Sequence, residues 1–187
     1  MQVYKFKVKL RDFENTIWRD IEVSANSTMA KLSYAVLAAF EAEGSHMFDI
    51  NYNGVSYSIM FPGMDYPYGT KEARKTKLTS LKMEIGDTAT LTYDYGSSWT
   101  FNLELIEISE MKRGSGNHYP YVTDGAGRGI IENIFPSDLE KIIQDTDTTG
   151  KIPEINEHPW DYRNFSLEYH QSLLKGKIYI LEMNYEG

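Results

Sequence analysis

The sequence predicts an α+β fold. It reads as a mainly antiparallel sheet starting β-hairpin–helix–β-hairpin, with C-terminal helices and a final strand. Three observations carry that reading. Apolar residues recur with near period two at Val3, Phe6, Val8 and Leu10. They switch to helical spacing at Leu32, Ala35, Val36, Ala39 and Phe40. Two turn dipeptides, Asn53-Gly54 and Gly96-Ser97, each separate a pair of β-rich runs.

Taken in order, Val3–Leu10 is the first strand, and Ile17, Trp18, Ile21 and Val23 form its hairpin partner. Thr28 caps the helix that follows, over about Met29 to Ala42, and Gly44 is expected to end it. Met47–Tyr52 and Val55–Met60 flank the Asn53-Gly54 turn. Phe61–Lys77 is a long loop, and Leu78–Leu81 is a helical turn. Thr88–Tyr95 and Ser98–Ile108 form the next hairpin, and Lys112–Gly129 is a Gly-rich loop. Ser137 is the expected cap of a short helix holding Leu139, Ile142 and Ile143, with Asp145–Gly150 as a polar turn. Trp160–Leu174 has helix-compatible spacing. Lys177–Asn184 alternates apolar and polar residues and is the expected final strand. Strands, one helix, strands and then helices is the order of an α+β domain. A chain of 187 residues with no internal repeat is expected to be a single domain, 1–187.

Composition excludes several chemistries. There is no cysteine, hence no disulfide, no thiolate nucleophile and no Cys-ligated metal. No apolar run approaches the ~20 residues of a spanning helix, and the N-terminus has no secretory core, so a cytoplasmic location is expected. With 19 basic and 27 acidic residues the net charge is −8, which argues against phosphate-rich partners. The one basic cluster is Lys71, Arg74, Lys75 and Lys77. The arginines are dispersed, which excludes the arginine-lined centre of a serine recombinase.

Certain residues resemble a known family. Ile17-Trp18-Arg19 with Ile21, Val23, Thr28 and Leu32 resembles the opening of the plasmid open-reading-frame-three-like family. Its members include insertion-element passenger and resolvase-like proteins. Ser45-His46-Met47 with Phe48 is similar to its Ser-His-Leu…Phe. Tyr93-Asp94-Tyr95-Gly96-Ser97-Ser98-Trp99 is similar to its Tyr-Asp-Phe-Gly-Asp-x-Trp. Tyr119-Pro120 with Asp124-Gly125, Glu132-Asn133 and Phe165-Ser166-Leu167 extend the likeness. The resemblance implies an α+β domain without an established activity. Ser97, Phe101 and Val122 stand where the family often has Asp, His and Cys, and Ile130-Ile131-Glu132-Asn133 replaces Pro-Pro-Glu-Asp. These are positions that could bind metal or move protons.

The candidate catalytic residues are His46, Asp94 and Glu132, a general base with two carboxylates. Asp94 has a competing turn-forming role, as a side chain accepting hydrogen bonds from its own turn. No Gly-x-Ser-x-Gly elbow accompanies the four histidines, His46, His118, His158 and His170. Asp145, Asp147 and Thr149, ahead of Gly150, match the start of a calcium loop, but Asn156 stands where the bidentate Glu belongs. A solvated turn is the favoured reading there, and no metal or cofactor is implied. Gly125, Gly127 and Gly129 lack the context of a phosphate loop.

The leading expectation is therefore a non-enzymatic binding or adaptor module for a protein or small-molecule ligand. Its surface would be built from Tyr66, Tyr68, Tyr93, Tyr95, Tyr119 and Tyr121, with Trp99 as a stacking or core residue. The alternatives are a hydrolase-type enzyme using His46, Asp94 and Glu132, and an accessory nucleic-acid binder of a mobile element using Lys71–Lys77.

Overall fold

The computed structural model describes residues 1–111 and 119–187. Its centre is an eight-stranded sheet of order β5-β4-β3-β6-β7-β1-β2-β8. The strands are β1 (Gln2–Leu10), β2 (Trp18–Ser24), β3 (Phe48–Tyr52), β4 (Val55–Ser58), β5 (Lys71–Glu72), β6 (Thr88–Tyr93), β7 (Trp99–Glu110) and β8 (Tyr121–Ala126). All pair antiparallel except the two-residue β5, which runs parallel to β4. The expected hairpins form. Asn53 and Gly54 both take positive φ, as a tight two-residue hairpin turn requires.

One face of the sheet packs on helix α1 (Met29–Ala39). Thr28 caps α1 by accepting the Lys31 N–H at 3.2 Å. Ten of its eleven residues are buried, because it lies between the sheet and a second helix, α4 (Leu167–Glu186). Tyr34 of α1 stacks on Tyr185 of α4, and Phe48 of β3 meets both rings edge-on. A short helix α2 (Leu78–Leu81) follows β5, and α3 (Pro136–Thr149) packs Leu139 into the core.

Five expectations are corrected. The final strand does not exist, since residues 177–184 continue α4. The apolar alternation there is one slice of a helical stripe, and Leu174, Ile178, Leu181 and Tyr185 bury that stripe. Helix α1 ends before Gly44, at Phe40, and Glu41 takes the left-handed position with φ 64°. The Ala42 N–H bonds to Leu37 O and the Glu41 N–H to Ala38 O, closing the helix in a Schellman motif with glutamate where glycine is usual.

A third of the expected Gly-rich loop is the edge strand β8, paired to β2 from Trp18↔Ala126 to Glu22↔Tyr121. Its first part, Lys112 to His118, lies outside the described residues. The three glycines that follow permit close approach. A Cβ on Gly125 would meet Arg19 Cδ at 2.8 Å, and one on Gly129 would meet Phe40 O at 1.9 Å. Asp145, Asp147 and Thr149, expected in a polar turn, lie in the last turns of α3. There Asp147 accepts the Tyr162 hydroxyl at 2.6 Å and the Thr149 hydroxyl donates to Asp145 O. The helix cap is also shifted from Ser137 to Phe135, with the Asp138 side chain reaching back to the Phe135 N–H. After α3 comes a small hairpin of β9 (Glu154–Ile155) and β10 (His158–Pro159).

Candidate functional site

The three candidate catalytic side chains, far apart in the chain, converge. The β3–β6 register pairs Phe48 with Tyr93. That places Met47 beside Asp94, whose N–H bonds to Met47 O at 2.9 Å. His46, one residue earlier, therefore faces the turn between β6 and β7. Its Nδ1 lies 3.6 Å from Asp94 Oδ1, and its Nε2 lies 3.7 Å from Glu132 Oε2. Both separations exceed a direct hydrogen bond. The His46 side chain is one-third exposed, whereas Asp94 is 11% and Glu132 8% exposed. His46 Nε2 and Glu132 Oε2 are both shut off from solvent without a hydrogen-bond partner. The exposed third of the side chain therefore belongs to its other atoms.

The surroundings hold these groups in place. Glu132 Oε1 accepts from the Tyr93 hydroxyl and from the Glu43 N–H, both at 2.7 Å. The Tyr93 hydroxyl itself accepts the N–H groups of Gly44 and Ser45 at 3.2 Å. Burial and the bond to Glu132 push the Tyr93 phenol up to about 12, so it stays protonated and donates. The Tyr185 hydroxyl donates to His46 O. Asp94, at φ 55°, plays both of its expected roles, since it also accepts the Gly96 N–H at 3.1 Å. Burial opposes its ionisation. Hydrogen bonds from Ser97 and Gly96, with the His46 ring, outweigh that and hold its carboxyl below the usual range.

A second histidine–carboxylate cluster lies near the first. Glu41 accepts from Arg128 at 2.9 Å, and His170 Nε2 lies 3.2 Å from its other oxygen, too oblique for a regular hydrogen bond. His170 Nδ1 is 2.9 Å from Ser166 O. Burial opposes ionisation of Glu41, but His170, then Arg128 and Lys177, hold it at about 2. Glu41, Arg128 and Glu132 line one cleft of about 220 Å³ between the clusters. A larger cavity, about 460 Å³, lies elsewhere, between β2 and α4 beside Tyr119 and Tyr179.

Arg19 was not a candidate, yet it is fully buried. It donates to the carbonyls of Ala39, Trp18, Ala126 and Gly127 between the rings of Phe40 and Phe165. Burial lowers it to about 10. It ties the end of α1 to β8, and so positions the Glu41–His46 segment. Its sequence signal is a charge at a core-facing position of β2, in alternation with Ile17, Ile21 and Val23.

The tyrosines do not form one surface. Tyr93 and Trp99 have buried rings, which corrects their place in the binding surface. Tyr95 is half-exposed at the β6–β7 turn. Tyr121, on β8, is separated from β7 by β1 and β2. Tyr119 lines the larger cavity. The Tyr66 hydroxyl is spent on Ile59 O and the Phe61 N–H, and Tyr68 is fully exposed. In the basic cluster, Arg74 is engaged by Glu72 at 2.7 Å and by Met60 O. Among the described residues no group of three or more His, Asp or Glu is arranged to hold a metal ion, and no helix is long and apolar enough to cross a membrane.

The family model for plasmid pRiA4b ORF-3-like proteins matches residues 2–168. The chain belongs to this family. The match takes in His46, Asp94 and Glu132, and Glu41 and Arg128 of the second cluster, and ends two residues before His170. A solved structure of a protein of unknown function from Methanosarcina mazei Go1 has the same fold. Its TM-score is 0.73 at 22% identity, over 89% of this chain and 95% of that one. No curated protein matches the chain.

Proposed function

We propose that this ORF-3-like protein is an acid–base enzyme of the hydrolase type, with His46 as the proton-transfer group. The observation that carries this reading is the placement of a part-exposed imidazole between two mostly buried carboxylates. In this reading Glu132, fixed by Tyr93 and the Glu43 N–H, faces Nε2 and sets the ring's tautomer and orientation. Nδ1, on the side of Asp94, takes a proton from a water whose oxygen adds to an electrophilic carbon or phosphorus. The imidazolium so formed is stabilised by Asp94 and Glu132, and it then gives that proton to the leaving group. The lowered Asp94 keeps its charge through the neutral range.

The test is turnover of a panel of activated esters, phosphate esters and glycosides by the wild type and by His46→Gln, Asp94→Asn and Glu132→Gln. A general-base role predicts a loss of roughly 100-fold or more in His46→Gln, with the fold intact by circular dichroism. Equal rates in wild type and His46→Gln, or no turnover in the panel, count against the enzyme.

A binding module is the second reading, favoured by half-exposed Tyr95 next to Asp94. An apolar ammonium ligand suits an aromatic ring beside a carboxylate. Titration calorimetry with such amines separates the two readings. A module loses binding in Asp94→Asn and keeps it in His46→Gln.

A further inference from the structure

Lys177 of α4 lies two turns beyond His170, on the same face of the helix. The residue is part-buried. Its ammonium nevertheless makes no hydrogen bond, ion pair or ring contact among the described residues. A lysine ordinarily keeps its charged end in water or pairs it when buried. A cleft of about 380 Å³ opens at Lys177, between residues 41–43 and α4, with Ala42, Ile180 and Leu181 as its apolar wall and Glu41 and Glu43 as its carboxylates. That volume suits a small organic molecule. The surroundings favour the neutral amine. Burial is the main cause, and the cations Arg128 and Arg19 add to it. Glu41 and Glu43 oppose them without cancelling them, so the amine is held below the usual lysine range. Glu41 is committed to Arg128 and faces His170. Glu43 is exposed, and its carboxylate has no partner among the described residues, which leaves it able to carry protons.

We propose that Lys177 is a nucleophile that forms a Schiff base with a small, uncharged aldehyde or ketone seated in this cleft. A part-buried amine beside other cations is the arrangement that activates lysine towards carbonyl compounds. The nitrogen lone pair adds to the carbonyl carbon, and the carbonyl π pair moves onto oxygen. Glu43 takes the proton that the nitrogen sheds and passes it to that oxygen, giving a carbinolamine. The nitrogen lone pair then forms the C=N bond as the hydroxyl, protonated through Glu43, leaves as water. Amine and carbonyl become imine and water, and nothing is oxidised or reduced. The apolar wall and the two carboxylates disfavour an anionic ligand. The site uses none of His46, Asp94 and Glu132, so it stands independently of the activity proposed there.

Treating the full chain with butanal and sodium cyanoborohydride at neutral pH tests it. The reductant traps each imine as a stable secondary amine, and peptide mass spectrometry follows the rate at each lysine. The expected result is that Lys177 reacts at least about tenfold faster than the exposed Lys82 and Lys151. Its rate saturates with butanal concentration, while theirs rises linearly. Glu43→Gln slows Lys177 and leaves Lys82 and Lys151 unchanged. Loss of the Glu43 charge alone would favour the neutral amine and speed Lys177, so slowing reports proton transfer. Equal rates at the three lysines, a linear dependence at Lys177, or a Lys177 that is not slowed in Glu43→Gln overturns the proposal.

Discussion

The two histidine–carboxylate clusters share two segments of chain, yet they differ in physical character. The Glu41–His46 segment supplies Glu41 to one and His46 to the other, and the 128–132 segment supplies Arg128 and Glu132. In the Glu41 cluster the carboxylate accepts from Arg128 at 2.9 Å and faces His170 Nε2 at 3.2 Å, and the His170 side chain is only 7% exposed. In the His46 cluster the contacts are 3.6 and 3.7 Å, the ring is one-third exposed, and a buried carboxylate oxygen has no donor. Tight, cation-rich pairing locks a structure. Loose pairing around an accessible imidazole leaves a proton free to move. The difference teaches that proximity of histidine and carboxylate does not by itself mark a reactive site. A close permanent cation in one and solvent access in the other separate the two.

The comparison can be broken outright at Gly129. Its Cβ would collide with Phe40 O, and it lies between Arg128 and Glu132. Gly129→Ala should destabilise by more than about 4 kcal/mol and disrupt both clusters, as read by urea unfolding. A near-neutral result would show that the segment can shift freely.

Glu41→Gln should come next, at about 3 kcal/mol, because it leaves Arg128 without its counter-charge in a largely buried setting. Its pH signature follows from the pKa of about 2, against the ordinary 4.5. A carboxylate lowered by folding contributes stability that is fully present above its unfolded value and is lost as pH falls through the folded one. Stability should therefore decline as pH drops from 4.5 towards 2, and Glu41→Gln should flatten that part of the curve.

The His46 cluster should respond the other way round. His46→Gln should change stability by less than about 1 kcal/mol while removing the proposed activity. A large loss of stability there would make His46 a second structural clamp. The smallest effect on turnover is expected for Tyr185→Phe, which removes the hydroxyl bond to His46 O. It should cost about 1 kcal/mol and lower turnover only modestly, by loosening the ring's position.

Much of this architecture is legible from residues alone. Alternation predicts β1 and β2, Thr28 marks the start of α1, Asn53-Gly54 marks a hairpin, and the resemblance predicts the family. Those features depend on neighbours within a few positions, where dihedral preference and periodicity act directly. His46, Asp94 and Glu132 were also nameable, as residue types able to move protons. Their convergence was not, because it depends on the β3–β6 register and on the path of residues 127–132 past the end of α1.

The remaining decisions belonged to packing. Residues 177–184 suit a strand or a helix by pattern, and the apolar surface of α1 selected the helix. Tyr121-Val122-Thr123 suits a strand but Asp124-Gly125 does not, and pairing with β2 carried the strand through to Ala126. Glu41 occupies a backbone position that favours glycine, held there by Arg128 and His170. Local sequence determined which elements were available. Tertiary structure decided among those of similar local energy, because burying a shared apolar face outweighs the small propensity differences between them.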